Sequence, residues 1–189
     1  SYPVCAPARS AIITGMYPNS IGTGNMRAHK GNATLRTEKE ALIVPYYSSK
    51  LAERIKPFTQ ILRENSYYCT NNAKEDYNFN LRDDAWDESS RSASWEKRED
   101  GQPFFSVFNF GVTHESEIWK RDKQELKVNP NDLIVPPVFP NDSITRHALA
   151  VNYSNLVEMD KQMGLIINKL IDQGLYDNTY IFFYSDHGG

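Results

Sequence analysis

Two short, almost unbroken apolar runs constrain this chain more than any other feature: Phe104-Phe105-Ser106-Val107-Phe108-Asn109-Phe110 and Thr179-Tyr180-Ile181-Phe182-Phe183-Tyr184. A strand with one face in water alternates apolar and polar side chains, whereas a strand covered on both faces does not. Both runs therefore read as strands of a sheet lying between layers, the arrangement of a parallel sheet with helical connections. Each run leads into a loop of chemistry-bearing residues, Gly111-Val112-Thr113-His114 after the first and Ser185-Asp186-His187-Gly188 after the second. In open α/β sheets, ligands gather beyond the carboxyl ends of the strands. A site is expected where those loops lie.

The remaining elements fit the same class. Residues 7–14 form a short helix, with Pro7 in the first turn, where a missing N–H costs nothing, and Gly15 as its C-terminal cap. Residues 16–50 are rich in turn formers and tyrosine, and read as loop. A second helix opens at Pro57, with Phe58, Ile61 and Leu62 on one stripe, and residues 67–71 form a short strand. Residues 72–102 read as an irregular polar excursion, and the Pro-rich stretch at 135–140 as an extended connector. The longest helix spans about 144–173, with Ser143 as its cap and Gly174 at its end. Leu149, Tyr153, Leu156, Val157, Met163, Ile167 and Leu170 make its core-facing stripe. The fold class is α/β, with a mainly parallel sheet flanked by helices.

Composition narrows the partners. With 21 basic and 24 acidic residues, a formal net charge of −3 and no block of like charge, nucleic acid and anionic membrane are poor partners. The 40% hydrophobic and 12% aromatic content belongs to a globular chain. No apolar run is long enough to span a membrane. The two cysteines, Cys5 and Cys69, make neither a disulfide framework nor a zinc motif. Cys69, beside Tyr67 and Tyr68, reads as a small buried hydrophobe. His147 reads as structural, and Trp86, Trp95 and Trp119 as core or lid packing, with stacking on a sugar ring as the alternative.

The densest chemistry lies near the N-terminus, in Cys5-Ala6-Pro7-Ala8-Arg9-Ser10, closed by Thr14-Gly15. Cys5 stands just before a helix N-terminus, where free N–H groups and the helix dipole favour negative charge. Arg9, one turn on, can reach back with a permanently charged guanidinium. A thiol placed there is expected to be an activated nucleophile.

This C-x-P-x-R…T-G pattern resembles the signature of the type I sulfatases, in which a maturation enzyme oxidises the cysteine to formylglycine. The resemblance extends through Gly101-Gln102-Pro103-Phe104-Phe105, Val135-Pro136-Pro137 and Asp186-His187, in that order, and is strongest to bacterial sulfatases related to heparan N-sulfatase (sulfamidase). It implies an alkaline-phosphatase-like fold and a nucleophile derived from Cys5. It also implies that Asp186 and His187 ligate a divalent cation, Ca²⁺ before others because the ligands are hard. His114 would contact sulfate and protonate the leaving group, and Arg9 and Lys74 would offset charge. The family commonly carries G-K-x-H where this chain has Ala73-Lys74-Glu75-Asp76. Lys74 matches, and Asp76 stands where the family has a histidine base, so that either Asp76 or another group serves as the base. Arg27 and His29 are candidate substrate contacts.

The resemblance further implies that residues 1–189 are part of a catalytic domain whose first metal-ligand strand and C-terminal subdomain lie outside it, so that the piece alone is expected to be inactive. The implied activity is hydrolysis of a sulfate ester or sulfamate on a sulfated carbohydrate. Partners would be that substrate and the maturation enzyme, and the location would be exported: periplasm, exterior or lysosome. Two alternatives stay open at this point, a phosphonate or phosphate ester hydrolase of the same superfamily and a catalytically silent glycan-binding relative.

Overall fold

The computed structural model of the chain describes residues 2–25, 49–81 and 83–188. The chain divides into two compact units, Ser1–Asn109 with Tyr184–Gly189, and Phe110–Phe183.

The first unit is built on a three-stranded sheet ordered β2-β1-β3, with β1 at Tyr68–Asn72, β2 at Glu88–Ser89 and β3 at Phe104–Phe108. Every pairing is parallel, as the apolar runs predict. Tyr68 lies opposite Phe104 and Asn72 opposite Phe108, while Thr70 lies opposite Glu88. Strand residues alternate between two faces, and both faces are covered. On one face Cys69, Phe105 and Val107 pack with Ile13 of α1 (Cys5–Thr14), with Phe58 and Leu62 of α2 (Phe58–Glu64), and with Tyr77, Phe79 and Trp86. On the other face the buried Trp95 stacks on Phe104 and meets Phe108 edge-on, and Thr70 donates to Ser106 at 2.8 Å. The polar excursion of residues 72–102 thus supplies two tryptophans to the core, along with the short strand β2.

The second unit is organised by α4, Ser143–Asp172, a helix of 30 residues. Its cap is Asp142, which accepts from the Thr145 N–H at 2.8 Å; Ser143, expected to cap it, is already helical. The helix buries Ala150, Val151, Ser154, Asn155 and Leu170. Of the expected stripe, only Leu170 is fully covered, and Tyr153, Leu156 and Val157 are exposed. The small side chains on the buried face let the preceding loop approach closely and bond to it. The Lys127 N–H donates to Ser154 Oγ at 2.8 Å, and Gln124 donates to Asn155 at 3.0 Å. His147 Nε2 lies 2.9 Å from Asp122 Oδ1, which ties the start of α4 to the segment before it. Trp119, on α3 (Glu117–Lys120), is 67% exposed and so is not core.

Residues 179–184 are not a strand. The segment has no regular secondary structure and its apolar side chains are open, with Tyr180 92% and Phe182 79% exposed. A strand exists only as half of a ladder, and among the described residues this segment has no ladder partner. No helix among the described residues is long and apolar enough to cross a membrane.

Candidate active site

The site begins with the local structure of residues 5–15. Helix α1 starts at Cys5 itself, with Val4 as an extended residue ahead of it that offers no side-chain cap. The first N–H groups of the helix are therefore not used up by a capping side chain, and they make the start of α1 an anion-favouring place. Ala6, Pro7, Ala8 and Ser10 are buried. Ser10 Oγ lies 2.6 Å from the buried Thr23 Oγ1, and Thr14 Oγ1 donates to the Ser10 carbonyl at 2.7 Å. Gly15 closes the helix in the left-handed conformation, φ 65°, its N–H bonded to the Ala11 carbonyl at 2.8 Å. Ala6, Pro7, Ala8, Ser10, Thr14 and Gly15 are thus taken up by burial, hydrogen bonds or the helix end, whereas the side chains of Cys5 and Arg9 reach residues 74–76.

The second contribution comes from the carboxyl end of β1, where residues 73–77 wrap over the start of α1. Cys5 Sγ donates to Asp76 Oδ2 at 3.4 Å. Asp76 has φ 41°, a left-handed backbone uncommon for a residue with a side chain, and strain of this kind concentrates at functional positions. The thiol is not activated as the helix terminus alone suggests. Burial pushes its pKa up, the neighbouring Lys74 pulls it down, and the carboxylate of Asp76 pushes it up further by charge and by hydrogen bonding. Desolvation disfavours the thiolate more than Lys74 favours it. Cys5 is held as a neutral thiol that donates to a carboxylate.

Arg9 is the centre of the charge arrangement. Its side chain is only 11% exposed. Among the described residues its hydrogen bonds go not to Cys5 but to the loop and to β3's end: Nε to the Glu75 carbonyl at 3.2 Å, Nη2 to the Lys74 carbonyl, and Nη2 to Asn109 Oδ1 at 2.7 Å. Its guanidinium carbon lies 5.8 Å from the centroid of the Tyr77 ring. Burial raises the Tyr77 hydroxyl to about 12 despite the opposing charge of Arg9, so the ring stays neutral beneath the cation.

The third contribution is the loop after residue 184. Asp186 Oδ2 lies 3.6 Å from Arg9 Nη1 and 4.0 Å from Lys74 Nζ. Residues separated by most of the chain, Cys5, Arg9, Lys74, Asp76 and Asp186, thus occupy one place. His187 Nε2 lies 3.9 Å from Asp186 Oδ1, and the His187 N–H donates to that oxygen at 3.1 Å.

Among the described residues, no three His, Cys, Asp or Glu side chains gather as a metal-holding group. A hard cation takes about six to eight oxygen ligands. The carboxylate of Asp186 suits such a cation in kind, but Asp186 and His187 are a fraction of its ligands in number. Here the carboxylate is balanced by Arg9 and Lys74 instead.

His114 lies in the second unit, exposed, just past a turn of 3₁₀ helix at Gly111–Thr113. Its Nδ1 accepts from the Ser116 N–H at 3.2 Å, which leaves Nε2 to carry the ring proton. Arg27 and His29 lie outside the described residues. Sequence reasoning missed Asn109 and Tyr77. Asn109 was discoverable, as the polar residue that interrupts the apolar run Phe108-Asn109-Phe110 at the carboxyl end of a strand.

The family model described as Sulfatase matches residues 1–189. An ulvan-active sulfatase of Formosa agariphila is 38% identical, the match covering 98% of this chain and 36% of that protein. A second ulvan-active sulfatase of the same organism is 23% identical, over 98% of this chain and 41% of its own. Human N-sulphoglucosamine sulphohydrolase is 37% identical over 60 residues, which are 32% of this chain and 12% of that enzyme. The chain thus spans well under half the length of the curated relatives it matches. No solved structure matches it.

Proposed function

This chain belongs to the sulfatase family, and from that premise we propose that the protein of which it is part hydrolyses a sulfate ester or sulfamate on a carbohydrate, with Cys5 converted to formylglycine. The observation that carries the reading is the meeting of Cys5 with Asp76, Lys74, Arg9 and Asp186 at the start of α1. The relatives' names, ulvan-active sulfatase and N-sulphoglucosamine sulphohydrolase, support a sulfated carbohydrate as substrate class.

A hydrated formylglycine supplies one hydroxyl to attack sulfur and a second whose proton is lost when sulfate is released. The side chains of this chain do the rest. Asp76 Oδ2, already the acceptor for the group at position 5, takes that proton, in place of the histidine common in the family. Lys74 Nζ binds a sulfate oxygen. Arg9 stays charged throughout and offsets the negative charge that develops at position 5. The family resemblance gives His114 the role of protonating the departing sugar oxygen or nitrogen. Asp186 and His187 would hold a divalent cation, Ca²⁺ by the hardness of the carboxylate, together with further oxygen ligands. Such a cation supplies Lewis acidity towards sulfate. The maturation enzyme that oxidises Cys5 is the implied protein partner, and an exported location follows the family.

The test compares the full-length protein, with Cys5 conversion verified, on 4-nitrophenyl sulfate, on an aryl phosphonate and on a sulfated polysaccharide. Sulfate release that is abolished in Cys5→Ala, with phosphonate turned over more slowly, is the expected result. Phosphonate hydrolysis outpacing sulfate hydrolysis, or no turnover by fully converted protein, contradicts the proposal.

A further inference from the structure

We infer that Asn109 is the positioning residue for Arg9, and that the chain sets the guanidinium through the side-chain amide at the end of β3. The inference rests on the sulfatase reading of the site and deepens it. Asn109 uses both ends of its amide. Oδ1 accepts from Arg9 Nη2 at 2.7 Å, while Nδ2 donates to Asn71 Oδ1 and to the Asn72 carbonyl, each at 3.0 Å. These partners leave one orientation for the amide, because turning it over would set N–H against N–H at Arg9 and oxygen against two oxygens behind it.

The support continues inward. Asn71 is fully buried and donates through Nδ2 to Ser89 Oγ at 3.0 Å on β2. The Asn109 N–H donates to the Asn72 carbonyl at 2.7 Å, which extends the β1–β3 ladder by one step. A chain of side-chain hydrogen bonds therefore runs from Ser89 on β2 through the amides of Asn71 and Asn109 and ends on Arg9. Arg9 also donates to the backbone carbonyls of the loop at Lys74 and Glu75, bonds the Tyr77 hydroxyl and lies 3.6 Å from Asp186 Oδ2. Asn109 is the partner that ties the guanidinium to the sheet rather than to that loop. An apolar residue at 109 would leave the Asn71 oxygen without its donor and Arg9 without its bond to the sheet, held by the loop and by Asp186.

A group aimed by a rigid neighbour acts on the rate of the chemical step, since misplacement by about 1 Å costs about a hundredfold in rate. The experiment uses full-length protein with Cys5 conversion confirmed by mass spectrometry, and measures kcat and KM on 4-nitrophenyl sulfate for Asn109→Ala, Arg9→Lys and the double variant. Asn109→Ser, whose shorter polar side chain ends about where the amide carbon of asparagine lies and so does not reach Arg9, is run in parallel and carries the test where the alanine variant does not fold. The expected result is kcat lower by about a hundredfold with KM within about twofold. Asn109→Ala should cost under about twofold when added to Arg9→Lys. A crystal structure of the variant should show Arg9 displaced. Unchanged kcat, a loss carried in full into the Arg9→Lys background, or Arg9 undisplaced overturns the inference. Converted wild type inert on every sulfate substrate overturns the hydrolase reading as well.

Discussion

The Cys5 thiol feels two neighbours of opposite charge, Lys74 and Asp76, in a half-buried setting that already disfavours the thiolate. Asp76 raises the thiol pKa both through charge and as hydrogen-bond acceptor. In unconverted protein, Asp76→Asn should therefore shift the pH profile of Cys5 alkylation to lower pH, and Lys74→Met should shift it to higher pH. Rates followed by peptide mass spectrometry would show this, and profiles that do not move would mean that neither residue faces position 5. In converted protein, Asp76→Asn should lower kcat by about 10² to 10⁴ if Asp76 is the base. Cys5 was legible in the sequence because its helix, cap glycine and arginine have fixed spacing. Its protonation state was not, because the carboxylate that decides it lies in another part of the chain.

At the scale of elements, local rules and tertiary contacts divide the credit. Helix α1 was readable because Gly15 and Thr14 act within their own turn. A Cβ at Gly15 would meet no atom within 4 Å, so the cost of Gly15→Ala is conformational alone, about 1 kcal/mol, measurable by denaturant unfolding. A loss several times larger would mean that the turn has a packing role. The cap of α4 behaves similarly. The Thr145 N–H holds the Asp142 carboxyl below its ordinary 3.8. A carboxyl depressed on folding contributes stability above its unfolded pKa, and that contribution is lost as pH falls through the folded value. Asp142→Ala should therefore lower the melting temperature at neutral pH and cost less in strong acid. The strand at 179–184 was misread because its apolar pattern reports a demand for cover, not a partner. The stripe on α4 was misread because periodicity marks large apolar side chains, while the buried face is set by the small ones, Ala150 and Ser154.

At the scale of the molecule, the first unit joins core and site in one stretch of structure. Cys69 sits at the centre of its core, fully buried, its pKa raised by burial from 9.0 to about 12, and Tyr77 beneath Arg9 is raised from 10.0 to about 12. Groups whose folded pKa lies above the unfolded value add stability that is complete below the unfolded pKa and lost as pH rises through the folded one. Unfolding midpoints should therefore hold up to about pH 9 and fall between about 9 and 12, less steeply in Cys69→Ala. A flat profile over that window would contradict the burial of both groups. The parallel sheet was legible from the run at 104–110, whose apolar side chains on both faces pack as β3, although the second such run forms no strand. The convergence of Asp186 on Arg9 and Lys74 was expected only through the family resemblance, since no local pattern joins residues so far apart in sequence.

The central claim is that the side chain at position 5 is made for oxidation and then for catalysis. Mass spectrometry of the peptide containing Cys5, from full-length protein produced in a host with an active maturation enzyme, tests it most directly. The account predicts an aldehyde at position 5 that is captured by a hydrazide probe, in protein that releases sulfate. An unmodified thiol at Cys5 in protein that hydrolyses sulfate esters would contradict it.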